Sequence, residues 1–161
     1  MNIRIVLAIG LVGMSMSAFA AENKAKMGTW TLDLARSSPE FAAARKSEVR
    51  VYERMPDGAV RSTRHTVFAD GHEEVAVYTA KDDGKEYKIV DAKGHESGTF
   101  SFTSDGKTDT FITRRGGVQA VEGTTTTSAD GQTLIMTLRT GADPAARKEN
   151  KAIYAKTAAK P

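Results

Sequence analysis

Few residues in this chain have types and spacings that could do chemistry. The histidines, His65, His72 and His95, are the candidate metal ligands and proton carriers. No two of them stand at the H-x-H or H-x3-H spacing that brings imidazoles together on one ion. His65 falls in a strand pattern and the other two fall at or near turns, where solvated side chains are expected. No serine sits in G-x-S-x-G or beside a sequence-adjacent base, so no activated nucleophile is indicated. The acidic pairs Glu73-Glu74 and Asp82-Asp83 flank turns, and neighbouring strand residues point to opposite faces, so Glu73 and Glu74 cannot serve one substrate atom together. Lys93-Gly94 and Arg115-Gly116-Gly117 do not open a helix, as a phosphate loop would. The chain has no cysteine, which removes thiolate metal sites, disulfides and a lipid-modified cysteine. No catalytic residue, metal ligand or cofactor is expected, and the chain reads as a non-enzyme.

Arg64 is the exception. Val60, Ser62, Arg64, Thr66 and Phe68 alternate along one face of a strand, opposite Arg61, Thr63, His65 and Val67. If the first face points inward, a guanidinium lies inside the protein, where it is costly unless paired. There it can hold a carboxylate. If His65 and Val67 face inward instead, Arg64 stands in water, and the alternation satisfies both. The candidate interior ligand contacts are Arg64, Val77, Phe100, Phe102 and Met136.

The elements that must position these residues are announced by glycines. Asp57-Gly58, Asp70-Gly71, Asp83-Gly84, Lys93-Gly94, Asp105-Gly106, Gly116-Gly117 and Asp130-Gly131 follow one another at 10 to 14 residues, the length of a strand plus a loop. Asp-Gly and Gly-Gly favour tight hairpins whose central residues take positive φ. Between them, period-two patterns mark half-buried strands. Trp30, Leu32 and Leu34 share a face, as do Leu134, Met136 and Leu138. Val49, Val51 and Met55 oppose Arg50, Tyr52 and Arg54, and Val75 and Val77 oppose Tyr78. The threonine-rich stretch 118–127 has strand composition with few apolar groups. Ser38 as N-cap, Pro39 and Glu40 predict one helix over 39–46. A longer connection spans 141–150, and a last short strand is expected at 151–156. Nearly every connection is a tight turn, so strands pair with their sequence neighbours. The expected fold is all-β, an antiparallel up-and-down meander barrel of about eight to ten strands with one short helix after the first. Closure removes exposed edges.

The N-terminus carries a separate signal. Arg4, an apolar run of about ten residues and Ala18-Phe19-Ala20 match a cleaved secretory signal peptide over 1–20, too short to span a bilayer. Residues 21–156 then form the barrel domain, with a mobile polar leader at 21–26 and a disordered tail at 157–161. Without a cysteine to anchor it, the mature chain is expected to be soluble. The address is periplasmic or secreted, periplasmic being favoured because small secreted eukaryotic domains usually carry disulfides. The formal charge of +3 is scattered, with no run of like charges, so no nucleic-acid footprint is indicated.

Gly28-Thr29-Trp30 resembles the G-x-W signature of lipocalins. With residues 31–37 after it, Asp83-Gly84-Lys85-Glu86-Tyr87, residues 128–134 and Ile153-Tyr154, the chain resembles small exported bacterial lipocalin-like, calycin-type β-barrel proteins along nearly its whole mature length. The resemblance implies a barrel with an internal cavity, a small apolar ligand, and Trp30 closing the barrel base; it implies no catalytic set. The alternative is an envelope interaction or inhibitor protein that acts through its loops, on a core filled by side chains.

Overall fold

The computed structural model describes residues 24–141 and 143–157. Among them, ten strands run as β1 (Gly28–Leu32), β2 (Arg45–Arg54), β3 (Val60–Phe68), β4 (Glu73–Ala80), β5 (Tyr87–Val90), β6 (Glu96–Ser104), β7 (Thr108–Arg115), β8 (Val118–Thr127), β9 (Thr133–Thr140) and β10 (Lys148–Thr157). Each pairs antiparallel with its sequence neighbours, and β1 also pairs with β10, with Trp30 opposite Lys156. The sheet is therefore a closed up-and-down barrel with one short helix, α1 (Pro39–Ala43), after the first strand, as expected.

The glycine posts do mark the turns, by a different geometry. No described residue other than glycine has positive φ, so Asp does not share the left-handed position. In the loops 55–58, 68–71, 91–94 and 128–131, the glycine N–H donates to the carbonyl three residues back, at 2.9–3.1 Å. The first three are three-residue loops in which glycine alone carries the bulge, and the fourth, closed by the Ser128 N–H on the Thr133 carbonyl, has four residues with glycine again the one at positive φ. The aspartate works through its side chain: the carboxylates of Asp57, Asp70 and Asp130 accept from the N–H groups of Ala59, His72 and Gln132 at 3.0–3.1 Å. The two-residue hairpin with both φ positive is at Gly116 and Gly117, φ 56° and 76°.

Four local expectations are corrected. The helix stops at Ala43, and the chain has already entered β2 at Arg45. Ser38 occupies the N-cap position without capping; its hydroxyl accepts from the N–H of Lys151 instead, tying α1 to β10. The last strand is ten residues long and includes Thr157, whose hydroxyl meets that of Thr31 at 2.7 Å. At the other end, residues 24–26 form a 3-10 turn with Lys26 buried rather than a mobile leader. The signal-peptide reading of residues 1–20 lies outside the described residues, as do 21–23 and the tail beyond Thr157. Among the described residues no helix is long and apolar enough to cross a membrane.

The core sits at the end of the barrel where β1 begins. Trp30, Ala80, Leu134, Ala152 and Tyr154 are fully enclosed there, with Val60, Tyr52 and Phe102 nearly so. Trp30 donates its indole N–H to the carbonyl of Lys26 at 2.7 Å, so the N-terminal turn is drawn across that end as a floor.

Candidate functional site

Above the floor the barrel is hollow. A cavity of about 860 Å³ runs up the interior and opens between the β3–β4, β5–β6 and β7–β8 connections. Phe68, His72, Asp91, Lys93, His95 and Arg115 border the mouth. On the other side, α1 packs against β2 and β10, and the Arg45 guanidinium lies 3.7 Å from the centre of the Phe41 ring.

One wall is apolar and mostly aromatic. Phe100 stacks on Tyr78 with centroids 4.0 Å apart and touches Phe102 and Phe111 at 5.8 Å. Ile89, Met136 and Leu138 extend this surface. It follows from alternation: the inward positions Phe100 and Phe102 on β6, Phe111 on β7, and Leu134, Met136 and Leu138 on β9 are apolar, while Asp109, Thr113 and Arg115 of β7 also face the interior.

The opposite wall, from β2, β3 and β10, is charged. β2 turns the other way from its apolar pattern: Glu48, Arg50 and Tyr52 are buried, while Val49 and Val51 are half-buried on the outer side. Glu48 is 1% exposed, and four donors serve it. Arg50 Nε and the Tyr154 hydroxyl each donate to Oε1 at 2.7 Å. Arg45 Nε and the Thr66 hydroxyl donate to Oε2 at 3.1 and 3.0 Å. Burial alone would push the Glu48 carboxyl up; Arg50, then Arg64, the Tyr154 hydrogen bond and Arg45, outweigh it and hold the group at about 2. Burial also pushes the Tyr78 and Tyr154 hydroxyls well above their ordinary value. These phenols stay protonated.

Arg64 faces inward, on the cavity wall. The register sets it directly opposite Arg50 on β2, a like-charge juxtaposition that is unfavourable by itself. Its Nη2 stands 3.6 Å from Glu74, and its Nε is buried without a hydrogen-bond partner. Burial, then the Arg50 charge, lowers its pKa against the pull of Glu48 and Glu74. The floor holds a second pair: the Lys26 ammonium meets Asp109 and lies 5.0 Å from the ring centres of both Tyr52 and Phe102. The other carboxylate oxygen of Asp109 is buried without a partner.

Of the five candidate contacts, Arg64, Phe100, Phe102 and Met136 line the one cavity. Val77 does not. Its neighbours Ala76 and Tyr78 are on the wall, so alternation places Val77 on the outer face, opposite Thr63 and Val90. The reading of Val77 as an inward ligand contact is thereby corrected. Sequence reasoning passed over Lys26, Arg50, Tyr78 and Asp109 as wall residues, and Glu48 and Tyr154 behind them. For Arg50 and Tyr52 a signal exists, since they alternate in phase as clearly as Val49 and Val51 do, and alternation alone does not say which face is inside. The histidines do not converge: His65, His72 and His95 each face one carboxylate, Glu73, Asp70 and Asp91, at 2.6–3.2 Å.

A closed up-and-down β-barrel around an internal cavity is what this geometry describes. In three dimensions the chain is similar to the wild-type fluorescent protein UnaG, with a TM-score of 0.54 and 9% identity over 82% of this chain and 97% of that one. It is similar also to a single-site mutant of UnaG, with a TM-score of 0.53 and 11% identity over 84% and 99% of the two chains. At such identities the likeness is one of fold. No protein-family model matches the chain, and no curated protein does.

Proposed function

We propose that the protein is an exported, non-catalytic binding protein that holds a small, largely apolar ligand inside its barrel, the ligand's polar end against Arg64. The observation that carries this reading is the cavity of about 860 Å³, open at one end and floored at the other. Its volume falls within the range of small-molecule sites, ~300–1,000 Å³. The stacked rings of Tyr78 and Phe100 offer apolar area, and Arg64 supplies one cation with unused hydrogen-bonding capacity. The alternative, a loop-borne interaction protein with a filled core, is disfavoured by so large a void. Export to the periplasm rests on the N-terminal sequence alone: Arg4, the short apolar run and Ala18-Phe19-Ala20.

Binding is tested with an anilinonaphthalene sulfonate probe. The wild-type protein should bind it one to one with enhanced fluorescence, and Met136→Trp, which fills the cavity from β9, should lose that binding while still folding. Equal binding by both proteins would place the probe outside the barrel and overturn the reading. Native mass spectrometry of protein purified from its own host should show a small-molecule adduct on the wild type. Export is tested by N-terminal sequencing of protein from the cell envelope: the chain should begin at Ala21, and a membrane-retained chain with Met1 intact would sink that part.

A further inference from the structure

Glu48 is a buried interior carboxylate that ligand binding does not by itself require. A carboxylate buried beside a cavity is costly and repels an anionic ligand. Here it lies behind the wall, while the side chains of Arg45, Arg50 and Arg64 face the cavity. Its hydrogen bonds go to Arg45 and Arg50 and to the Tyr154 and Thr66 hydroxyls. None goes to Arg64, which stands opposite Arg50 in register with its Nε unpartnered. At the floor, Lys26 is matched by Asp109. Among the described residues, Arg64 is thus the deep cation of the cavity with no hydrogen-bonded counter-ion: Glu48 acts on it only through space, and its neighbour Glu74 is part-exposed towards the mouth, 3.6 Å away.

We propose that Glu48 is a specificity-determining residue, a built-in counter-ion that neutralises Arg50 from behind and so limits the ligand to a single anionic group, seated at Arg64. The assignment rests on the ligand-binding reading above. Charge-assisted hydrogen bonds to a guanidinium are strong in a water-poor site, so two uncompensated arginines side by side would favour a ligand acid far more than one does. Glu48 is a competitor for Arg50 that never dissociates, because it is part of the chain. A purely structural role, tying β2 to β10 through Tyr154, would make Glu48 matter for stability without touching the ligand's charge preference.

The test is the ratio of affinities for dodecanoate and dodecanol, measured by calorimetry at neutral pH. Glu48→Gln keeps the shape of the side chain and removes its charge. It should raise dodecanoate affinity at least tenfold and leave dodecanol within threefold of wild type. A ratio unchanged, or both affinities altered in parallel, would overturn the assignment. If Glu48→Gln does not fold, the paired variant Glu48→Met with Arg50→Met decides. It removes the counter-ion and its cation together, and the wild-type ratio should survive; a collapsed ratio would make Arg50 the ligand's partner and refute the proposal. Arg64→Gln addresses the earlier reading separately, since with Glu48 in place it should erase the preference for the acid. Wild-type protein that binds neither probe would remove the ligand reading, and this assignment with it.

Discussion

The two walls of the cavity are built by opposite rules. On β6 and β9, and at Phe111 of β7, large apolar side chains point inward, and the wall coheres by rings in contact, Phe100 on Tyr78, Phe102 and Phe111. On β2 and β3, with Tyr154 of β10 behind them, charged and hydroxyl side chains point inward, and the wall coheres because every oxygen of Glu48 has two donors. The first tolerates a vacancy, since each contact is small and non-directional. The second does not, because losing one partner strands a buried charge. The difference says which wall carries stability risk and which carries chemical discrimination.

The largest effect should follow from breaking the charged wall on one side only. Glu48→Ala is expected to destabilise by about 3–5 kcal/mol, the cost of an orphaned buried charge, whereas Glu48→Met with Arg50→Met should fall within about 1 kcal/mol of wild type or exceed it. Urea denaturation of both variants checks this, and equal losses would mean that packing rather than charge holds the wall. Next comes the apolar wall. Phe100→Ala should cost about 2–3 kcal/mol, below what a ring packed on all sides costs, because the Phe100 ring already borders open space. A loss above that of Glu48→Ala, in the same denaturation series, would reverse the ranking of the walls.

A smaller effect is expected at the turns, which both walls share. Gly131 sits at φ 69° with room for a side chain around it, so substitution there tests backbone strain alone. Gly131→Val should cost about 1–3 kcal/mol, and Gly131→Asn clearly less, because Asn tolerates the left-handed region. Equal denaturation midpoints would contradict the bulge geometry. Gly141, in the irregular connection before β10, also has positive φ, at 125°, so it is not the indifferent position that its loop context suggests.

Acid should separate the walls with the gentlest perturbation. Glu48 has a folded pKa of about 2 against an ordinary 4.5. A depressed value means that its stabilisation is complete above 4.5 and is lost as pH falls towards 2. Asp57, Asp70 and Asp105 are also lowered, through backbone N–H donors at Ala59, His72 and Thr108, and lose their smaller share below their ordinary 3.8. The melting temperature should hold from pH 7 to about 5 and then decline. In the Glu48→Met, Arg50→Met variant the decline should be shallower and confined to the lower part of that range. An identical profile for the two proteins would mean that Glu48 is not held at its low value.

The contrast between the walls is also the contrast between what was readable and what was not. Leu134, Met136 and Leu138, and Phe100 with Phe102, were placed inward from their spacing alone, because apolar-in alternation is the rule they obey. Val77 obeys the same pattern and faces outward, as do Val49 and Val51, whose face the alternation leaves open, so the rule fails on strands whose apolar-patterned face lies outside. Alternation supplies two faces and no label. Which one is inside depends on partners such as Tyr154 and Thr66, 106 and 18 residues away from Glu48.

What the amino-acid sequence determined by itself was local: glycines at the positive-φ turn positions, strands of four to ten residues between them, short connections that leave each strand its neighbour as partner, and hence a meander whose ends must close. These follow from backbone sterics and chain connectivity, which act over a few residues. Tertiary structure decided the rest. The seam between β1 and β10, the Lys26–Asp109 floor, the Glu48 counter-ion and the inward turn of Arg64 each join residues far apart in the chain. A buried charge is acceptable only once those distant partners have arrived around it.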